Sequence, residues 1–394
     1  MKINRSTSSS LTHQPASRGP LPQAAASAPA AAPTAQLTDQ RNVQTRAGSS
    51  RSNMSFLEDD LSEQLKEAGA NRATLNKFET LSAADQQKVV DLVGLDNNKL
   101  FALLKNGKLH KKASNGKTVL SMLHQLKTGR VQSGVRKNEL VKSALKVLSD
   151  RDQITQGPHG TCGAASLQQA LWKKDPAEMV RIVSNLARNG ESTLRKGNHK
   201  LKIDSNALNF YSGSKLSNGR TENRSDFNII FQSAVMRSAA LVGGKYSSSS
   251  LSSTVTSLLT GTMGLKAADM ALSRAVSYDV RKDTGDFNGV KGGNSAANPA
   301  KLEGLLEDIT GRSFDMDTKL NPFTFSQMKS HANSGKEPMA LFHAGSGSMH
   351  YVTVTKVTGD KVYYQDTAAS PKGVVRSKSI ADFKSKMLLT LTQD

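Results

Sequence analysis

From residue 55 onward the apolar positions recur mostly at the three-and-four spacing of an amphipathic helix. Only near the end of the chain do they alternate as in a half-buried strand. In the leading part, helices are expected from a cap at Ser55 through Gly69, from just after Ser82 to Gly94, and over Asn97–Leu104, Lys117–Leu126 and Asn138–Leu148. Further on, helices are expected from Cys162 through Trp172, over Ala177–Asn189 with Gly190 closing it, and over Asp226–Leu241. A short one over Val255–Leu259 follows a serine-rich loop at 246–253, and Gly285, Gly289, Gly292 and Gly293 read as a connection. Asn298–Asp308 starts with Pro299 in its first turn, and Thr324–Ala332 has Thr324 as its expected N-cap. Residues 192–228 are polar and read as loop. Strands are expected over 339–343, 350–357, 361–366 and 386–392, forming an antiparallel sheet. Helices first and strands afterwards is an α+β order. Three regions follow: a tail over 1–54, a helical region over 55–150 and a third region over 151–394.

The chain has one cysteine, Cys162, placed where Gly157-Pro158-His159-Gly160 ends and a helical pattern begins, with Ala164, Leu167 and Leu171 on one face. A thiol at a helix N-terminus has a lowered pKa, because the free N–H groups favour the thiolate. The small residues Gly163, Ala164, Ala165 and Ser166 are expected to let a substrate backbone come close. A thiolate nucleophile needs a base, and the base needs an orienting group. The hairpin from His350 to Asp366, with its turn near Thr358, Gly359 and Asp360, offers both. An odd-numbered loop sets Val352 opposite Asp366, so that His350 and Asp366 share a face as diagonal neighbours roughly 7–8 Å apart at the backbone. A two-residue turn would put them on opposite faces. His343 is a rival base without an aspartate at matching distance, His159 is a neighbour able to touch the thiol, and Gln153 competes with Gln156.

Gln156, the run Cys162-Gly163-Ala164-Ala165 and the later His350-Tyr351-Val352 with Asp366 resemble the papain-like cysteine peptidases, most closely their bacteriocin-leader-processing branch. The resemblance lies in the glutamine six residues before the cysteine, the C-G-x-A helix start, and the H-Y strand with an aspartate after the next strand. It implies a papain-like fold over 151–394, with Cys162 as nucleophile, His350 as general base and acid, and Asp366 orienting the imidazole. Gln156 and the Cys162 N–H would form the oxyanion hole. No Cys/His or His/carboxylate cluster has metal-ligand spacing, and no cofactor and no metal are expected. Thr161 stands where an acidic or amide residue is common, and Thr367 where proline is usual. Proteolysis, glutamine deamidation and transamidation all run through the same thioester, so a deamidase or transglutaminase stays open beside a protease.

The composition adds a setting. The 394 residues carry a formal charge of +20, with 37% hydrophobic and 5% aromatic residues. One cysteine excludes an intramolecular disulfide, and no apolar run reaches the ~18 residues of a membrane span. No secretory signal peptide pattern is present. Residues 1–54, rich in Ser, Ala, Pro, Gln and Thr, are expected to be disordered. They resemble the uncleaved export signals of bacterial type III secreted effectors, which implies export, a secretion chaperone on the N-terminal region, and a protein substrate inside a host cell. Residues 55–98 are mainly acidic, whereas Lys99–Lys146 holds many Lys and Arg and only Glu139 as an acid, so helices 99–146 could contact an acidic surface or membrane. No zinc-finger or RNA-binding signature is present, and no specific nucleic acid is expected. A non-catalytic binding protein is the competing class. It would keep its activity in Cys162→Ala.

Overall fold

The computed structural model describes residues 60–196, 199–242, 277–278, 290–291, 293–319, 321–345, 348–368 and 373–394. The expected tail, the Ser55 cap, the serine-rich loop at 246–253, the helix over Val255–Leu259 and Gly285, Gly289 and Gly292 lie outside them. Residues 50–394 form one compact unit, and its architecture is α+β.

Helices come first: α1 (60–67), α2 (Arg72–Glu79), α3 (Ala83–Leu92), α4 (Asn97–Lys105), α5 (Val119–Thr128) and α6 (Lys137–Ser149). Their starts are set by side chains that accept orphan backbone N–H groups. Asn71 caps α2, Ser82 caps α3, Asp96 caps α4 and Thr118 caps α5. α2 was not expected from the sequence. Next come α7 (Cys162–Lys174) and α8 (Pro176–Asn189), the latter opened by Asp175 as cap and Pro176 at the first position. Residues 192–228, expected as loop, contain the hairpin of β1 (Glu191–Thr193) and β2 (Lys200–Lys202) and the single turn α9 (Ser205–Leu208). α10 (Asp226–Ala239) runs into β3 (Ala240–Val242). β4 (Ser277–Tyr278) pairs with β5 (Val290–Lys291), and β3 pairs with β6 (Gly293–Ala297).

After α11 (Pro299–Thr310) the strands dominate: β7 (Phe314–Thr318), then α12 (Thr324–Asn333), β8 (Met339–Gly345), β9 (Ser348–Thr358), β10 (Lys361–Asp366), β11 (Val374–Ser379), α13 (Ile380–Lys386) and β12 (Met387–Gln393). They form one six-stranded antiparallel sheet in the order β11-β10-β9-β8-β12-β7. The two edge strands, β7 and β11, were not anticipated. Thr324 does not cap α12: Phe323 holds the cap position, and the Thr324 hydroxyl donates to the Thr318 carbonyl at 2.6 Å.

Strand alternation divides the core in two. On one face Met339, Leu341, Tyr351, Leu389 and Leu391 join an apolar core that also takes in Leu65 and Phe78, Leu120 and Leu145, and Leu167 and Leu171 of α7. On the other face Ala340, Phe342, Val352, Val354, Val362 and Tyr364 pack with Met328 and Ala332 of α12 and Phe383 of α13. Helices 60–149 and the segment after them therefore share a continuous core. Polar contacts tie them further: Trp172 donates to the Val147 carbonyl at 2.7 Å, and Arg136 makes an ion pair with Asp226 at 2.8 Å.

Candidate active site

The hairpin of β9 and β10 has a two-residue turn, with Thr358 opposite Lys361, rather than the odd-numbered loop expected. Followed strictly, that register would turn His350 and Asp366 to opposite faces. The odd residue lies further along. Tyr363 is opposite Lys356 but Tyr364 is opposite Val354, so Thr355 is an extra residue, a β-bulge. Its hydroxyl donates to the Tyr363 carbonyl at 3.3 Å. Beyond the bulge Gln365 faces Thr353, which sets Asp366 on the face of Val352 and His350. His350 Nε2 and Asp366 Oδ1 are 3.0 Å apart.

Cys162 is the first residue of α7, and α7 packs its small residues into the sheet. Gly163 is the tightest point: a Cβ there would stand 2.8 Å from both Ala297 Cβ and Leu302 Cδ1, and 3.2 Å from Tyr351 Cδ2. Gly163 to Ser166 are all buried. They serve the approach of the helix to β9 and α11 and not, as expected, the approach of a substrate. Cys162 itself is partly exposed.

The His350 imidazole is close enough to the Cys162 thiol for each to shift the pKa of the other. Because Nε2 is engaged by Asp366, Nδ1 is the ring nitrogen left for the sulfur. Burial pushes the Cys162 pKa up, but the hydrogen bond and charge of His350 and the N–H groups of Tyr351 and Gly163 outweigh it, and the net shift is downward. For His350 burial acts to lower the pKa, and Asp366 and Cys162 together raise it to about 9. Burial raises the Asp366 pKa, whereas His350, the Ala368 N–H and Arg376 lower it more, so the carboxylate stays ionised. The three groups thus favour a thiolate beside an imidazolium.

Gln156 is bonded to the residue that follows Asp366, and its side-chain contacts run to the loops. Its Nε2 donates to the His159 carbonyl at 2.9 Å, and its Oε1 accepts from the Thr367 hydroxyl at 3.1 Å. Two residues that sequence reasoning did not single out as partners complete the surroundings. Arg376 Nε lies 2.9 Å from Asp366 Oδ2, and the Ala368 N–H donates to Asp366 Oδ1 at 2.9 Å. Arg376 carries no signal in the sequence, since it sits on an unanticipated strand.

The rivals are placed elsewhere. His159 is fully buried, with Nε2 2.7 Å from Glu222 Oε2. Arg224 binds the same carboxylate at 2.7 Å through Nη2 and 3.0 Å through Nε. Burial raises the Glu222 pKa, but Arg224 and His159 bring it down to about 2. Gly157, with φ +61°, lies against Asn223, Arg224 and Glu222 where a side chain would collide. Gln232 of α10 donates to the Thr155 carbonyl at 2.9 Å and accepts from Thr161 Oγ1 at 3.0 Å. Asn228 donates to the Gln153 carbonyl at 2.7 Å. The loop ahead of Cys162 is therefore fastened from beneath by a buried polar network. His343 lies on β8 opposite Met349.

Among the described residues no three His, Cys, Asp or Glu side chains converge as a metal site needs, and no helix is long and apolar enough to cross a membrane. Of the basic stretch, Lys105, Lys111, Lys112, Lys117 and Arg130 are exposed, while Lys108 lies 4.0 Å over the Trp172 ring. No family model, no curated protein and no solved structure matches the chain.

Proposed function

We propose that the protein is a cysteine hydrolase of papain-like type, a protease acting on a protein substrate through Cys162, His350 and Asp366. The observation that carries the reading is the continuous chain of contacts from a thiol at a helix N-terminus, through an imidazole, to a buried carboxylate. The thiolate attacks a carbonyl carbon and forms the C–S bond. The negative charge on the carbonyl oxygen is met by the Cys162 N–H and the Gln156 amide. The imidazolium gives its proton to the leaving amine as the C–N bond breaks, and water then cleaves the thioester with His350 as base. Asp366 keeps the imidazole in one tautomer and stabilises its charged form. The export-signal-like composition of residues 1–54 supports delivery of the enzyme into a host cell, with a host protein as substrate.

The test is mass-spectrometric profiling of cleavage in a peptide library and in host-cell lysate, with Cys162→Ala beside the wild type. New termini that vanish in Cys162→Ala, while the variant keeps its melting temperature, support proteolysis. Ammonia release or amine incorporation at glutamine without new termini replaces the protease by a deamidase or transglutaminase on the same site. Binding to a target that survives in Cys162→Ala, with none of these products, overturns the enzymatic reading.

A further inference from the structure

The turn after β10 holds more than Asp366. Gln156 and Thr367 are joined twice: the Gln156 N–H donates to the Thr367 carbonyl at 2.9 Å, and the Thr367 hydroxyl donates to Gln156 Oε1 at 3.1 Å. Thr367 is fully buried. On its other side the Gln156 amide nitrogen donates to the His159 carbonyl at 2.9 Å. A carbonyl only accepts, so His159 forbids the flipped amide and fixes which end carries nitrogen. The hydroxyl of Thr367 then holds the oxygen end. An amide nitrogen has two hydrogens, and His159 takes one. The other is left on the loop that leads, three residues later, to Cys162.

Consecutive residues thus serve two halves of one centre. Asp366 reaches His350, and Thr367 reaches Gln156. The Ala368 N–H, bound to Asp366 Oδ1, closes the turn that carries both. We propose that Thr367 is a positioning residue: its hydroxyl and carbonyl hold Gln156 in one orientation on the loop that leads to Cys162, so the turn 366–368 mounts the imidazole and the oxyanion donor together. The inference rests on the cysteine-hydrolase reading for its catalytic consequence, and on geometry alone for the orientation of Gln156.

The experiment compares Thr367→Val, which keeps the shape and carbonyl but loses the hydroxyl, with Thr367→Ser, which keeps both polar groups. Three quantities are read in the full-length protein: hydrolysis of p-nitrophenyl acetate, the pH profile of Cys162 alkylation by iodoacetamide, and the side-chain amide NMR signals of Gln156, assigned with Gln156→Ala. In Thr367→Val the acylation rate constant falls about 10- to 100-fold, a large part of the effect of losing an oxyanion donor. KM stays put and so does the alkylation profile, because the thiolate–imidazolium pair is untouched. The Gln156 amide signals move toward those of an exposed glutamine, and Thr367→Ser restores rate and signals. Unchanged Gln156 signals in Thr367→Val overturn the proposal. So does a shifted alkylation profile, or a Thr367→Ser variant as slow as Thr367→Val. If wild type does not hydrolyse the ester, or Cys162→Ala hydrolyses it equally, the hydrolase reading fails, and the amide signals alone decide the placement of Gln156.

Discussion

Among the described residues, two of the histidine–carboxylate pairs have nearly the same local chemistry. His159 and Glu222 are 2.7 Å apart, His350 and Asp366 3.0 Å apart, and each carboxylate is also held by an arginine, Arg224 or Arg376. What differs is everything around them. His159, Glu222 and Arg224 have no exposed side-chain surface, and their bonds lock the loop that precedes Cys162. His350 and Asp366 are each 12% exposed, Arg376 is 53% exposed, and the free side of the imidazole meets a thiol. A histidine beside a carboxylate is therefore no sign of catalysis by itself. Full burial makes the first pair a fastening, and under the proposed function the thiol beside the second would make it the base.

The comparison breaks first at the two histidines. His350→Ala leaves Cys162 with burial but without its counter-charge, so the thiol pKa rises. Thioester formation should slow by about 10²–10⁴-fold, the usual weight of a general acid–base group. His159→Gln should leave the alkylation profile of Cys162 in place and lower thermal stability instead. Alkylation against pH, read with circular-dichroism melts, separates the two, and a His159→Gln profile shifted as far as that of His350→Ala would erase the distinction.

Glu222→Gln comes next, because it leaves the Arg224 guanidinium buried without its counter-ion. A loss of about 3–5 kcal/mol in urea unfolding is expected. In the wild type the sign follows from a folded pKa of about 2 against the ordinary 4.5. The contribution is present above about pH 4.5 and is lost as pH falls toward 2. Stability that is flat between pH 5 and pH 2 would mean that the pair is not ionised.

The smallest of the three effects is that of Asp366→Asn. Removing the negative partner disfavours the imidazolium, so the His350 pKa drops from about 9, by roughly one unit or more. The alkaline limb of reactivity moves to lower pH by the same amount. Because a raised His350 pKa stabilises the fold below its ordinary 6.5 and ceases to do so above about 9, the stability difference between wild type and Asp366→Asn should shrink as pH rises through 9 to the part owed to Arg376 and the Ala368 N–H. Titration of the His350 ring by NMR checks the direction, and an upward shift would contradict the pairing.

Much of this was legible in the chain. The helix beginning at Cys162, the caps at Ser82 and the strands carrying His350 and Asp366 follow from apolar spacing and capping chemistry. The contact between His350 and Asp366 was anticipated for a wrong reason, since a mid-strand bulge and not the turn supplies the odd residue. Nothing in the local run around Thr355 marks a bulge, because it is a property of the pairing between two strands. The buried network escaped notice for a similar reason. Glu222 and Arg224 lie in a polar stretch that reads as loop, and their burial arises only when α10 and the Cys162 loop close over them. Thr367 stood out merely as a departure from a pattern, and the structure gives it two bonds to Gln156.

The bulge has a consequence for how the chain tolerates changes in length. A strand counts residues in twos, and Thr355 divides the hairpin into a tip and a base that count separately. Deleting Thr355 would give a regular ladder with Val354 still opposite Tyr364, so the base keeps its facing and the site survives. Deleting Thr353 instead, one step on the other side, would turn either His350 or the ladder with β8 out of register. Thr355 can thus be lost without turning the base, whereas the few residues between it and His350 are fixed in number as well as in kind.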